Sequence, residues 1–454
     1  MTARPWRQGA KGQVLFVDDL SAPVLTTSQR SIKWLASRGH TSITVQGVLD
    51  AARRRAGFDD FGSPDFEARL QLLVDDYNAD EGLGEMGRRV VLGELVRYAS
   101  NRLLIQNYLL RHPDALEERI EKPLIVVGLP RSGTTHLVNL LAADSRFRSL
   151  PLWESMEPVP NPREGTPSSA RVAAVRALDR ALPRRAREWL GVHHLVADPR
   201  YLRCTANWAG MRTMVPYVAA MHPMNPDHVH EENELMGPDF SSYIFEWTGY
   251  VPRYRDHYLR TDQTPHYAYM KRVLQILQHR DPGPPKPWVL KSPQHLEQIP
   301  VLLQTFPDAT IVFTHRDPVA VIQSTVTMLG YGQRIARNAL DMPGLLAYWI
   351  DRIEQLLRKG VADRSLVPLD RSHDCLFHEF MAEPEGMLDR IYRTYGAPRT
   401  KRSRREQAAF LEAHPRGKGG RVRYDLEGQF GTTAEVVRAR FGFYFERFPV
   451  RIET

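Results

Sequence analysis

The chain has 454 residues, 42% apolar and 25% charged, a composition ordinary for a folded protein with one large or two unequal domains and not for a disordered or fibrous one. Its 61 basic against 53 acidic residues leave a formal charge of +8, which points to an anionic ligand or surface without choosing between them. Cys204 and Cys375 are far apart and outside any CxxC or Cys/His spacing, which excludes a disulfide framework and a structural zinc site and favours a reducing compartment.

The start of the chain, Met1 to Leu20, has no uninterrupted apolar core, and no later stretch reaches the roughly 18 apolar residues that span a bilayer. The expectation is a cytoplasmic protein, with peripheral membrane contact left open. From about Ser28 to Ile120 the patterning is helical: Leu70, Leu73 and Tyr77 share one face, as do Leu92, Val96, Ala99 and Leu103. Residues 1–120 are therefore expected to form an N-terminal helical region, followed by an α/β domain over 121–454. At Pro123 the pattern changes to the apolar run Leu124 to Val127, then a glycine-rich loop, then a helix with Leu137, Leu140 and Leu141 in register. Residues 155–260 read as an insertion; within it Met221–Pro252 lacks periodicity and is expected to be a flexible acceptor loop. A second strand-to-helix unit begins at Trp288-Val289-Leu290, its helix marked by Leu296, Ile299, Leu303 and Phe306. A third begins at Thr310 to Thr314, with Asp317 as helix N-cap and Pro318 as first helical residue. A further helix is predicted from Leu345 to Leu357. Alternation of this kind implies a parallel sheet flanked by helices, with ligands beyond the carboxyl ends of its strands.

The motifs with chemical content stand at those ends. Gly128-Leu129-Pro130-Arg131-Ser132-Gly133-Thr134-Thr135 has the glycine spacing of a P-loop, but Thr134 replaces the lysine that reaches a γ-phosphate. A glycine-rich turn feeding a helix still aims backbone N–H groups and the positive helix end at an anion, and Arg131 adds a planar charged fork. Further on, Arg316 of His315-Arg316-Asp317-Pro318 closes a strand, and Ser324 lies nearly two helical turns past the Asp317 cap, so both can reach one phosphate. A protein-kinase catalytic loop is rejected, since Ile322 stands where its asparagine belongs.

GLPRSGTT followed by a strand, HRDP and a serine eight residues after its arginine resembles the pattern of sulfotransferases that use 3′-phosphoadenosine-5′-phosphosulfate (PAPS). WVLKSPQHL, DFEARLQLLVDDYN and HPRGKGGRVRYDLEGQFG extend the resemblance to bacterial members over roughly residues 45–445. The resemblance implies a P-loop-like fold and transfer of a sulfuryl group to a hydroxyl or amine of a small-molecule, lipid or glycan acceptor, giving 3′,5′-ADP without a metal. It implies that Pro130, Arg131, Ser132, Gly133, Thr134 and Thr135 hold the 5′-phosphosulfate, and Arg316 and Ser324 the 3′-phosphate. Lys418, Arg421 and Arg423 are the basic candidates in the C-terminal segment, which departs from the RKGxxGDWK motif of cytosolic members. Lys291, at a strand end, resembles the lysine placed near the transferring group. Two residues compete for the base: Glu154, similar to the glutamate of tyrosylprotein sulfotransferases, and His295, similar more loosely to the histidine of cytosolic members.

Two other classes stay in view. A nucleotide kinase would need the missing loop lysine and a strand-end aspartate for magnesium. The run Arg399 to Arg405 is the strongest nucleic-acid signal, although such runs are usually solvated faces and no recognition fold accompanies it. His222, His228, His230, Glu231 and Glu232 gather potential metal ligands without a helical frame to fix them.

Overall fold

The computed structural model describes residues 13–415 and 420–453. Lys418 lies outside the described residues. Among the described residues there are seven strands: β1 (Val14–Phe16), β2 (Leu124–Gly128), β3 (Arg148–Ser149), β4 (Trp288–Lys291), β5 (Thr310–His315), β6 (Ser372–Leu376) and β7 (Arg421–Arg423). Five make one parallel sheet in the order β3-β4-β2-β5-β6, and β1 pairs with β7 in a separate parallel ladder. The three sequence-predicted strands are thus the three central ones. Their runs of Val, Ile and Leu are continuous rather than alternating because both faces are covered.

Side-chain alternation divides the interior in two. Leu124, Val126, Val289 and Val312 face Leu137, Leu140 and Leu141 of the helix Thr134–Ala142 and Leu388 and Ile391 of the helix Pro384–Tyr395. Ile125, Val127, Leu290 and Ile311 belong to the larger core. That core also contains Leu70, Leu73 and Tyr77 of the helix Phe66–Ala79 and Leu95, Tyr98 and Leu103 of the helix Glu85–Arg111, so the N-terminal helices cover one face of the sheet.

Two local expectations change. The helix expected after β4 is split into a 3₁₀ turn, Pro293–Glu297, and an α-helix, Ile299–Thr305; Pro293 and Pro300 open them, and neither has an N–H to continue a preceding turn. The stretch 221–252 is no exposed loop: Glu232, Leu235, Met236, Phe240 and Tyr243 are all buried, and 3₁₀ turns span Glu232–Asp239. Asp317 does cap the helix Pro318–Gly332, its Oδ1 accepting from the Val319 N–H at 2.9 Å.

Candidate active site

β2 ends at Gly128 because nothing larger fits: a Cβ there would stand 2.0 Å from Thr314 Oγ1 of β5. The chain then turns through Arg131 at φ +64° and Gly133 at φ +89°, and the helix begins at Thr134. Ser132 is buried and spends its hydroxyl on the loop, donating to Leu129 O at 2.6 Å and sharing a 2.7 Å hydrogen bond with Thr314. The turn thus leaves the first backbone N–H groups of a nine-residue helix pointing beyond the sheet.

Arg131, an arginine held in a left-handed conformation, reaches toward β5. Its Nε donates to Ser324 Oγ at 2.9 Å, and Ser324 shares a 2.8 Å hydrogen bond with the Tyr424 hydroxyl. Burial pulls the Arg131 pKa below its ordinary value, the adjacent Tyr424 hydroxyl opposes the fall, and Arg316 adds to it. No carboxylate among the described residues pairs with this guanidinium, so it is a desolvated cation bonded to hydroxyls. Arg316 donates through Nη1 to Arg131 O at 2.6 Å, grips Glu453 through Nε and Nη2 at 2.7 and 2.8 Å, and stacks 4.2 Å from the Phe377 ring centre. Arg131, Arg316 and Ser324 therefore do converge. Arg421 and Arg423 do not join them: both are exposed, and Arg423 lies 4.1 Å over the Phe16 ring. Their segment delivers Tyr424 instead.

On the other side of β2, the Lys291 ammonium donates to Thr135 Oγ1 at 3.3 Å and to the Glu231 carboxylate. The Lys291 N–H donates to Glu232 Oε2 at 2.7 Å. Glu232 also accepts from His295 Nε2 at 2.6 Å, which leaves His295 Nδ1 to accept from the Tyr267 hydroxyl at 2.8 Å. Both nitrogens of the buried His295 ring are thus engaged. Three more imidazoles gather here. Burial pushes the pKa of His222 well below the usual range, and Arg131 and Lys291 push it further; burial does the same to His228 and His230, with Lys291 contributing to both. They stay neutral at pH 7, so they place polar but uncharged rings beside the two cations.

Glu154 lies elsewhere. It follows β3 and meets Arg148 at 3.2 Å, and Arg148 stacks 4.6 Å from the Trp288 ring centre at the amino end of β4. Its carboxylate is thus engaged by Arg148, and no hydrogen bond or ion pair among the described residues joins it to Lys291. Glu231, Tyr424 and Glu453 stand beside these groups without any motif in the sequence to mark them, Glu231 and Glu232 carrying there only the signal of potential metal ligands. Among the described residues no group of three or more metal-ligating side chains is assembled, and no helix is long and apolar enough to cross a membrane.

The arrangement is a glycine-rich turn after β2 whose Arg131 reaches toward Arg316 and Ser324 beyond β5, with Lys291 at the end of β4 on its other side. With β2 between them, the two groups are about 10 Å apart at the usual strand spacing. A ligand with anionic groups at both ends fits such a pair of cradles. A P-loop-like parallel sheet with these groups defines the class, and comparison with known proteins agrees: the profile of the Sulfotransferase family matches residues 123–401. The chain belongs to that family. It is 26% identical over 282 residues to the omega-hydroxy-beta-dihydromenaquinone-9 sulfotransferase Stf3 of Mycobacterium bovis and to that of Mycobacterium tuberculosis, a match covering 61% of this chain and 63% of each relative. The crystal structure of sulfotransferase STF1 from M. tuberculosis superposes with a TM-score of 0.72 at 26% identity, covering 89% of this chain and 99% of that one. For STF9 from Mycobacterium avium the TM-score is 0.74 at 26% identity, over 91% and 99% of the two chains.

Proposed function

We propose that the protein transfers a sulfuryl group from PAPS to an acceptor hydroxyl or amine, releasing 3′,5′-ADP. The observation that carries this reading is the desolvated Arg131 guanidinium, bonded to Ser324 and Tyr424 past β5 and lacking a carboxylate partner among the described residues, across the loop from Lys291. In this reading the turn Pro130–Thr135 cradles the 5′-phosphosulfate with the backbone N–H groups that follow the proline, while Arg316 and Ser324, with the Arg131 guanidinium beside them, hold the 3′-phosphate. When bound, PAPS supplies an activated sulfuryl group with a good leaving phosphate. Lys291, beside Thr135, neutralises charge on the departing phosphate oxygen. Glu231, in contact with the Lys291 ammonium, accepts the acceptor's proton as the new S–O bond forms and the bond to the 5′-phosphate breaks. Glu231 takes this role in preference to Glu154, bound to Arg148, and to His295, whose two nitrogens are already engaged.

The relatives named for a dihydromenaquinone substrate favour a small lipophilic alcohol among the acceptors. Two free, buried cysteines fit a cytoplasmic setting. A kinase reading finds no support, because a buried Thr134 stands at the lysine position. The nucleic-acid reading weakens because Arg399 meets Glu385 and Asp389, Arg402 meets Glu406 and Arg404 meets Asp389. Calorimetric titration tests the donor: 3′,5′-ADP binds more tightly than 5′-AMP or ATP, with or without magnesium. Preference for ATP with magnesium would overturn the reading.

A further inference from the structure

The family match ends at residue 401, yet the group that completes the Arg131 and Ser324 pair, Tyr424, lies beyond it. Tyr424 follows β7, and β7 pairs with no strand of the main sheet. Its partner is β1, more than four hundred residues earlier and also outside the match, in the register Val14↔Arg421, Leu15↔Val422, Phe16↔Arg423. Arg421 N–H donates to Gln13 O at 2.8 Å. β1 is itself fixed: Leu15, Val17 and Leu20 are buried in the larger core. Gly420, at φ +100°, lets the chain enter β7 against Leu15, where a Cβ would stand 3.1 Å from the Leu15 side chain. Alternation along β7 turns Arg421 and Arg423 outward, Arg423 onto Phe16, and leaves Tyr424 on the inward side.

We propose that β1 and β7 form a clasp that makes Tyr424 a specificity residue for the 3′-phosphate, so that the N-terminal strand governs which adenine nucleotide is retained. The proposal rests on the PAPS reading. The hydroxyl lies against both Arg131 and Ser324, where it donates to an anion seated on them. The role of β1 is positional: pinned to the core at Leu15, it fixes the height of β7 over the loop.

Calorimetry on the full chain with 3′,5′-ADP and 5′-AMP tests this. Tyr424→Phe removes only the hydroxyl, and lowers affinity for 3′,5′-ADP about five- to tenfold while leaving 5′-AMP unchanged. Leu15→Pro removes a ladder N–H and produces the same selective loss. If that variant fails to fold, Phe16→Ala, which removes only the ring under Arg423, reads the same ratio. Equal weakening of both nucleotides, or no change in Tyr424→Phe, overturns the proposal; wild-type behaviour in a folded clasp variant overturns the part assigned to β1. Wild-type protein that does not prefer 3′,5′-ADP sinks the PAPS reading as well, whereas a wild-type preference retained in Tyr424→Phe sinks this inference alone.

Discussion

The fold treats two sets of buried charge differently, the acids along Glu232–Glu246 and Arg131 of the loop Gly128–Thr135. Along Glu232–Glu246 most acids meet a cation: Glu234 meets Arg97 at 2.6 Å, Asp239 meets Arg69 at 3.0 Å and Arg102 at 2.9 Å, and Glu246 shares Arg352 with Glu297 at 2.9 and 2.6 Å. Among the described residues the Arg131 guanidinium meets only hydroxyls. In the first set the desolvation of each ion is offset within the chain; in the second it is left for a ligand to offset. Paired charge along Glu232–Glu246 is scaffold, whereas Arg131 of the loop has no carboxylate partner among the described residues.

Cutting a scaffold pair is the severest way to break that distinction. Arg352→Ala strands Glu246 and Glu297 in the core, where burial already pushes the Glu246 pKa up. Chemical denaturation is expected to show a stability loss of roughly 3–5 kcal/mol. A loss near zero would mean that the pairs are not what holds Glu232–Glu246 in place.

Next come the groups at the transferring end. Lys291→Ala and Glu231→Gln are expected to lower turnover about 10²- to 10³-fold, with 3′,5′-ADP affinity within about threefold of wild type. Lys291→Ala is read as sulfate release from PAPS onto water, which needs no acceptor. Glu231→Gln requires an acceptor, and Glu154→Gln is its control, with turnover held within about twofold. The opposite ranking of the two glutamates would return the base to Glu154. At the nucleotide end, Arg316→Ala removes one charged partner worth ~1.5–3 kcal/mol, about tenfold or more for 3′,5′-ADP, while 5′-AMP binding is unchanged.

The same two regions explain what the sequence revealed. Gly128, Gly133 and the hydroxyl run after Arg131 encode a backbone shape, and a backbone shape demands particular residues at fixed spacing, so the loop was readable in eight letters. Met221–Pro252 reads as loop because its histidines, acids, prolines and aromatics follow neither a helical nor a strand period. The partners that make the acids buriable are distant in the chain: Arg97 is 137 residues from Glu234, and Arg352 is 106 from Glu246. Glu231 was hidden for the same reason, since nothing local ties it to Lys291. Tyr424 was next to the basic residues named from the motif, but which side of β7 faces the site depends on its pairing with β1. Charge drew attention to the outward side.

Glu453 is the smallest and most pointed test of paired against unpaired charge, because it pairs Arg316, which donates to Arg131 O. Its carboxylate takes Arg316 Nε and Nη2, the bidentate edge that a 3′-phosphate would use, while Arg131 O and the Phe377 ring hold the rest of the guanidinium. Both side chains are partly accessible, 20% for Arg316 and 33% for Glu453, so solvent screening leaves the pair a contribution on the order of 1 kcal/mol. A phosphate arriving at Arg316 must displace or share that carboxylate, and Glu453→Gln removes the competing charge without emptying the space. The expected result is a two- to fivefold tightening of 3′,5′-ADP, on the order of that same energy, with 5′-AMP unaffected. Weaker binding would instead show that Glu453 orients Arg316 for its ligand, and would move this ion pair from the site's competitors to its scaffold.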